Sequence, residues 1–425
     1  MSRVIVVGLG YVGLPLALRA AEVGHEVVGI DLDPRKIELL CAGVTYIEDA
    51  TDHRIRSATA SGRFTARLGW DPDGADEHVE VPFDVAVIAV PTPLTQHVPD
   101  LSYVASAGRM IGRMLRRDAA VVLESTTYPG TTEGLLAEVL TESSGLRPGV
   151  DFHLGFSPER IDPGSPQHTL ENTPKLVSAT TPEGLLVIDR FYGTIVERTV
   201  PVSSPRIAEM AKVFENTQAY VNIGLVNELS EICHDMGIDI HEMLDAAMTK
   251  GHSMAYWVPG PGVGGHCLPI DPMYLAWQTR TALGRRFRFA ELADDINTSR
   301  PDYVVRRASQ VLRDRPGGLR GASVLVLGLA YKPGVGDLRE SPAVDVVEAL
   351  LRERAAVTTC DPHVQGWTRT STLELEELPG AVESFDLVVI ATHHAEFDYE
   401  KIALKARLVL DCRHAMEPSP HVVAL

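Results

Sequence analysis

The sequence predicts an α/β protein in which two doubly wound parallel sheets are joined by a helical centre. Three observations carry that expectation. The first residues read strand, glycine-rich turn, helix, strand; a long stretch after Pro205 is helical throughout; and after a Gly-Gly break the strand, loop, helix, strand pattern begins again. At 425 residues the chain has room for two or three domains. A composition of 45% hydrophobic and 23% charged residues suits a folded globular protein.

In the first unit "RVIVVG" reads as a strand, "LGYVGLPLALRAAEVG" as turn and helix, and "HEVVGID" as a second strand. The turn carries Gly8, Gly10 and Gly13, with Tyr11 and Val12 between them, in GxGxxG spacing, and Asp31 ends the second strand. Glycines there permit a tight turn and close approach to a pyrophosphate at a helix N-terminus. An acid at the end of the next strand accepts the ribose hydroxyls of NAD and repels a 2′-phosphate. Further strand-like runs end in ligand-type loops at "DVAVIAVPTP" and "AAVVLESTTYPG", which makes Thr92 and Thr126 candidates, and "FHLGFSPER" delivers Glu159 and Arg160 to another loop.

After Pro205, "RIAEMAKVFENTQAYVNIGLVNELSEICHDMG" is one helical pattern closed by Gly237, and a shorter helix follows through "IHEMLDAAMTKG". Lys212 and Asn216 stand four apart, on one helix face. The apolar positions between Pro205 and Lys250 spread around more of the helix than one buried face needs, so this centre is expected to join two subunits. A second long helix, from "RFRFAELADD", leads to "ASVLVLGLAYKPGVGDLRES", where the dinucleotide glycine pattern is incomplete but Lys332 and Arg339 are suited to phosphate. "FDLVVIAT" and "ARLVLDCR" supply later strands.

The net charge of −18 argues against nucleic acid or an anionic membrane as partner. No apolar run approaches a membrane span and the start does not read as a signal peptide, so a cytoplasmic protein is expected. The five cysteines are scattered without a CxxC pair and are expected to be free thiols. One of them, Cys267, lies in "PGPGVGGHCLPIDP", a loop with little apolar content. His266, Cys267 and Asp271 do not read as a metal site, because adjacent His and Cys rarely chelate one ion and no fourth ligand is in sequence.

In order and spacing, "VVGLGYVGLPLA", "VPTPL", "ESTTYPGTTE", "SPERIDPG", "EMAKVFENT", "GPGVGGHCLPIDP" and "GLAYKPGVGDLRESPA" resemble the UDP-glucose/GDP-mannose dehydrogenase family over essentially the full length. The resemblance implies an NAD-binding Rossmann domain (1–203), a helical dimerisation domain (204–300) and a Rossmann-like UDP-sugar domain (301–425). It also implies two hydride transfers to two NAD⁺, oxidising the C6 alcohol of a UDP-sugar to a carboxylate through a thiohemiacetal and a thioester on a cysteine.

Residue by residue, the resemblance assigns the nucleophile to Cys267, charge stabilisation to Lys212 and Asn216, positioning to Asp271, and placement of the hydrolytic water to Thr126 and Glu159. Lys36 and Arg339 match cofactor contacts, and Tyr256, Tyr331, Lys332 and Arg413 match UDP-sugar contacts. Glycines at 262, 264 and 265 are expected to leave room for the sugar. Glucose-type members carry a further glutamate where this chain has Pro163, so the hydrolytic base is open between Glu159 and another group. His266 and the surrounding motif resemble the UDP-N-acetylglucosamine branch; UDP-glucose, dTDP-glucose and UDP-N-acetylmannosamine are alternatives. A one-step β-hydroxyacid dehydrogenase would need neither Cys267 nor a second α/β domain, and a non-catalytic NAD sensor would show no turnover.

Overall fold

A computed structural model describes residues 1–47, 50–69, 82–95, 98–161, 168–251 and 255–425; Pro163 lies outside them. The chain forms two compact units, Met1–Glu215 and Asn216–Leu425.

The first unit contains β1 (Arg3–Val7), α1 (Gly13–Glu22), β2 (Glu26–Asp31), α2 (Pro34–Cys41), α3 (Asp52–Ala60), β3 (Phe64–Leu68), β4 (Val85–Ile88), a hairpin of β5 (Leu94–Thr95) and β6 (Val98–Pro99), α4 (Ser102–Met114), β7 (Ala120–Leu123), α5 (Ala137–Ser144), β8 (His153–Phe156), β9 (Lys175–Ala179), α6 (Pro182–Tyr192), β10 (Thr199–Pro201) and the start of α7 (Pro205–Met236). Its sheet runs β10-β9-β8-β7-β4-β1-β2-β3. Neighbours pair in parallel except β8 and β9, which are antiparallel.

The central strands β4 and β7 are buried at every residue, so their side chains alternate between two cores. Val4, Val6, Val85, Val87 and Val122 face one cluster, which includes α1 and α6; Ile5, Val7, Ile88, Val121 and Leu123 face another, which includes α4 and α5. This two-sided burial is what a doubly wound sheet requires. The expectation from the short Val/Ile runs holds, while the antiparallel β9 and the edge strands β3 and β10 were not read from the sequence.

The second unit begins with the rest of α7, then α8 (Ile240–Met248), α9 (Asp271–Leu283) and α10 (Arg288–Val311). Gly237, φ +68°, takes the left-handed conformation just past the end of α7, a stop that favours glycine. Next come β11 (Ser323–Leu327), α11 (Pro342–Arg352), β12 (Ala356–Cys360), β13 (Ser371–Thr372), α12 (Leu378–Ala381), β14 (Leu387–Ile390), α13 (Tyr399–Lys405), β15 (Val409–Asp411) and β16 (Val422–Ala424). They form an all-parallel sheet in the order β13-β12-β11-β14-β15-β16. Among the described residues no helix is long and apolar enough to cross a membrane.

Candidate active site

The glycine turn after β1 is built by three different steric demands. Gly8 has φ +91°, and a Cβ on it would lie 2.4 Å from the Ala89 carbonyl oxygen; a Cβ on Gly13 would lie 1.8 Å from the Gly8 oxygen. Those two glycines are required by the chain's own packing. Gly10 is different: nothing lies within 4 Å of its Cβ position, so its bare backbone faces open space at the start of α1. Asp31 braces the turn, its Oδ2 accepting from the Leu9 N–H at 2.8 Å and from Lys36 Nζ at 3.0 Å. Among the described residues Oδ1 accepts only the Asp33 N–H, at 3.0 Å, which leaves it a lone pair. Tyr46, which the sequence reading passed over, closes the ring by donating its hydroxyl to the Leu9 carbonyl at 2.5 Å; burial first, and then Asp31 and Asp33, push that phenol up.

The loops after β4 and β7 are stapled together at the carboxyl edge of the same sheet. Thr92 Oγ1 donates to the Thr126 carbonyl at 2.9 Å, and Ser125 Oγ to the Val90 carbonyl at 2.7 Å. The following turn is held from α7: the fully buried Glu209 accepts the N–H groups of Gly130 and Thr132 and the Thr132 hydroxyl. A carboxylate is the one side chain able to take three such bonds at a helix start. Glu159 follows β8; its Oε1 accepts the N–H groups of Arg160 and Ile161 and its Oε2 accepts Lys175 Nζ at 3.0 Å. Arg160 pairs with Glu215 of α7 at 2.7 Å and donates to the Pro174 carbonyl. Lys212, one turn before Asn216, is buried at 9% exposure, not a solvated surface lysine.

In the second unit Cys267 is exposed and Asp271 opens α9, its N–H bonded back to the Cys267 carbonyl at 2.9 Å. The Asp271 carboxylate, 3% exposed, accepts from Asn216 Nδ2 at 2.5 Å. Helix α7 and the cysteine loop are thus tied through two of the residues expected to act with Cys267. Upstream, the loop hangs on a buried polar chain. Gly260 donates to Asn227 Oδ1, Asn227 Nδ2 donates to Asn297, and the fully buried Arg300 donates to the Gly260 and Asn227 carbonyls while pairing with Glu231. Arg300, Asn227 and Asn297 gave no motif signal, because each is an ordinary helical polar residue until the helices pack.

The loop glycines pack closely against their own chain. A Cβ on Gly264 would lie 2.6 Å from the Glu340 oxygen and 2.7 Å from Tyr331 Cβ; on Gly265 it would lie 2.8 Å from the Tyr331 ring, and on Gly262 2.8 Å from Pro342. The close approach they permit is to the chain's own Tyr331–Pro342 segment. Gly265 N–H also bonds to the Arg339 carbonyl at 3.0 Å, and Arg339's guanidinium pairs with Asp337. Arg413 anchors to the Ala391 carbonyl at 2.7 Å, with Nη1 2.8 Å from the Gly260 Cβ position. Lys332 Nζ lies 5.8 Å from the centre of the Tyr331 ring. Tyr256, exposed, donates instead to Asp245 of α8 at 3.1 Å.

The turn after β11 repeats the construction of the first. Gly328 has φ +81°, its Cβ position 2.3 Å from the Thr392 oxygen, and Asp361 at the end of β12 accepts the Leu329 and Ala330 N–H groups at 2.6 and 3.0 Å. His363, His394 and Glu396 cluster beside it. The Gly334 N–H can only donate to His394 Nδ1, so His394 Nε2 carries the proton and donates to Asp361, leaving that ring no lone pair for a metal.

Residues 2–196 match the NAD binding domain of the UDP-glucose/GDP-mannose dehydrogenase family, 206–299 its central domain and 325–418 its UDP binding domain. The chain belongs to this family. A UDP-N-acetyl-D-glucosamine 6-dehydrogenase of Pseudomonas aeruginosa is 36% identical over 93% of this chain and 91% of its own length. A UDP-N-acetyl-D-mannosamine dehydrogenase of Pyrococcus horikoshii is 34% identical over 98% of this chain and 97% of its own. A solved structure of the UDP-D-ManNAc dehydrogenase from Pyrococcus horikoshii superposes with a TM-score of 0.88 at 32% identity, covering 99% of this chain and 98% of that one.

The chain is accordingly an NAD-dependent nucleotide-sugar dehydrogenase of this family, as the motifs implied. The first turn fits the cofactor: open backbone at Gly10 for a pyrophosphate, and an Asp31 oxygen with a lone pair for a ribose hydroxyl. The polar residues that the sequence left without a role are those that hold others in place: Tyr46, Lys175, Glu209, Asn227, Asn297 and Arg300.

Proposed function

We propose that this dehydrogenase oxidises the C6 alcohol of UDP-N-acetylglucosamine to the uronic acid, with Cys267 as covalent carrier. One observation carries the mechanism: Cys267 is an exposed thiol on a loop fixed from both sides, beside an Asn216–Asp271 pair. NAD, when bound, supplies the hydride acceptor for each of the two oxidations. Lys212 and the Asn216 amide stabilise the negative charge that develops on the C6 oxygen. The Cys267 sulfur adds to the aldehyde carbon, forming a C–S bond as the C=O π bond opens, and the thiol proton ends on the C6 oxygen, which leaves an alcohol-like carbon that can be oxidised again to a thioester. Water placed by Thr126 and Glu159 then forms the new C–O bond, the C–S bond breaks, and one water proton passes to Glu159. In the UDP binding domain, Lys332 and Arg413 supply positive charge for a diphosphate, and Tyr331 an aromatic face; Tyr256 and Arg160 complete the proposed substrate contacts.

The N-acetylglucosamine assignment is supported by His266 within "GPGVGGHCLPIDP", by "MAYWVPGPG" before it, and by the 36% identical relative of that activity. The 34% identical relative named for the mannosamine epimer defines the competing substrate. With NAD⁺ and a panel of UDP-GlcNAc, UDP-ManNAc, UDP-glucose and dTDP-glucose, kcat/KM is expected to be highest for UDP-GlcNAc. A tenfold preference for another sugar, about 1.4 kcal/mol, reassigns the substrate and leaves the family intact.

A further inference from the structure

Behind Glu159 lies a buried charged cluster with Lys175, which lies in no motif, and Glu124, which opens "ESTTYPGTTE" but was assigned no role. Strand β9 runs antiparallel to β8 with Phe156 opposite Ser178. Carrying that register three residues further brings Glu159 opposite Lys175, the first residue of β9. Glu124 follows β7, the other neighbour of β8. The carboxyl ends of two parallel strands and the amino end of an antiparallel third therefore converge on one ammonium. Lys175 Nζ lies 3.0 Å from Glu159 Oε2 and 3.2 Å from Glu124 Oε1, and the Lys175, Glu159 and Glu124 side chains are 3%, 12% and 0% exposed. The Tyr192 hydroxyl donates to Glu124 Oε1 at 2.5 Å.

The two carboxylates are not equivalent. Glu159 is served by three donors: Lys175 and the N–H groups of Arg160 and Ile161. Glu124 Oε2 is buried with no hydrogen-bond partner among the described residues. With both carboxylates ionised the cluster would hold a net negative charge away from water, which is costly; one proton removes it. The proton belongs on the less-served carboxylate. The ionisation tendencies agree: burial drives Glu124 above the usual carboxylate range, whereas for Glu159 burial is outweighed by Lys175 and the two N–H groups, which take it below. Lys175, despite burial, is raised by the two glutamates and stays charged. Arg160 spends its guanidinium on Glu215 and the Pro174 carbonyl.

We propose that Glu124, Lys175 and Tyr192 are positioning residues for Glu159: the cluster keeps its single proton on Glu124 and so holds Glu159 as a carboxylate, able to receive the proton of the hydrolytic water. That last role rests on the function proposed above. Two carboxyl groups driven apart by their surroundings into an acid and a base is a recurrent arrangement in catalytic sites.

Difference infrared titration of the full-length enzyme tests the cluster directly. The wild type is expected to show a protonated carboxyl that persists above the usual carboxylate range and is lost in Glu124→Gln. The titration of Glu159, identified by its disappearance in Glu159→Gln, is expected below that range; it moves up by about 1–3 pH units in Lys175→Met and returns in Lys175→Arg. A wild type in which no carboxyl stays protonated above the usual carboxylate range, or a Glu124→Gln protein that retains it, overturns the proposal, and this arm decides even if Lys175→Met does not fold. An unmoved Glu159 titration in folded Lys175→Met overturns it as well. The acidic limb of the thioester-hydrolysis rate, measured by rapid quench, is expected to move with the Glu159 titration. If the infrared shifts occur and that limb stays in place, the cluster stands and Glu159 is not the base.

Discussion

Burial separates the thiols of this chain before any chemistry is invoked. Cys360 and Cys412 are pushed up to about 12, by burial and then by the adjacent carboxylates of Asp361 and Asp411, and so hold almost no thiolate at neutral pH. Cys267, among glycines, is exposed. Asp31 is a second residue whose work was legible, because an acid at the end of the second strand of a βαβ unit has few other reasons to be there. Its structural duty was not: it also accepts the Leu9 N–H, so alanine would damage the turn along with the cofactor site. Asp31→Asn keeps an acceptor for that amide while removing the charge that repels a 2′-phosphate. The ratio of kcat/KM for NAD⁺ over NADP⁺ is expected to fall at least tenfold, about 1.4 kcal/mol, in this variant. An unchanged ratio would mean that Asp31 does not set cofactor choice. Lys175 and Glu124 stayed hidden for a physical reason. Lys175 lies outside every motif and Glu124 opens "ESTTYPGTTE" with no role of its own there, and only the antiparallel run of β9 brings them together.

Secondary-structure elements were legible where a periodic pattern was long and bounded. Helix α7 begins at the expected proline and ends at the expected glycine, and β1, α1 and β2 follow the glycine fingerprint. Strand β10 is short and β3 half-exposed, while β9, buried at every residue, carries Lys175 and Ser178 among its five residues, so apolar content alone did not mark them. The turn after β11 lacks a complete dinucleotide fingerprint, yet it is built like the first one, with an aspartate at the end of the second strand accepting turn amides. Burial alone would raise Asp361, but the His394 hydrogen bond and the turn amides carry it below its ordinary value. A carboxyl lowered in the folded state stabilises above its unfolded pKa and loses that contribution as pH falls through the folded value. Asp361→Asn is therefore expected to cost roughly 1–3 kcal/mol in urea unfolding at neutral pH, with the difference from wild type narrowing below about pH 4. A variant equally destabilised at both pH values would show that the carboxylate's charge is not what the turn uses.

For the whole molecule, the full-length spread of motifs made the family legible, because each motif is a local steric or chemical demand. The supporting network at the cysteine loop was not, since Asn227, Asn297 and Arg300 acquire meaning only when α7 packs against α10. Association of copies is the remaining inference at this scale. Helix α7 exposes Ile207, Met210, Phe214, Leu225, Ile232 and Met236 along a single stripe, an apolar face that a soluble helix seldom leaves to water. Light scattering is expected to give at least twice the 46.2 kDa chain mass, and Phe214→Glu with Leu225→Glu to reduce it to one chain. A wild-type particle of one chain mass at micromolar concentration would contradict a homodimer built on α7. Retention of the substrate on Cys267 between its two oxidations is tested by NADH released against uronic acid formed, in wild type and Cys267→Ala. Two NADH per acid are expected in the wild type and almost no acid from Cys267→Ala, with fold and UDP-sugar binding retained. Acid formed by Cys267→Ala at a near-normal rate would contradict it.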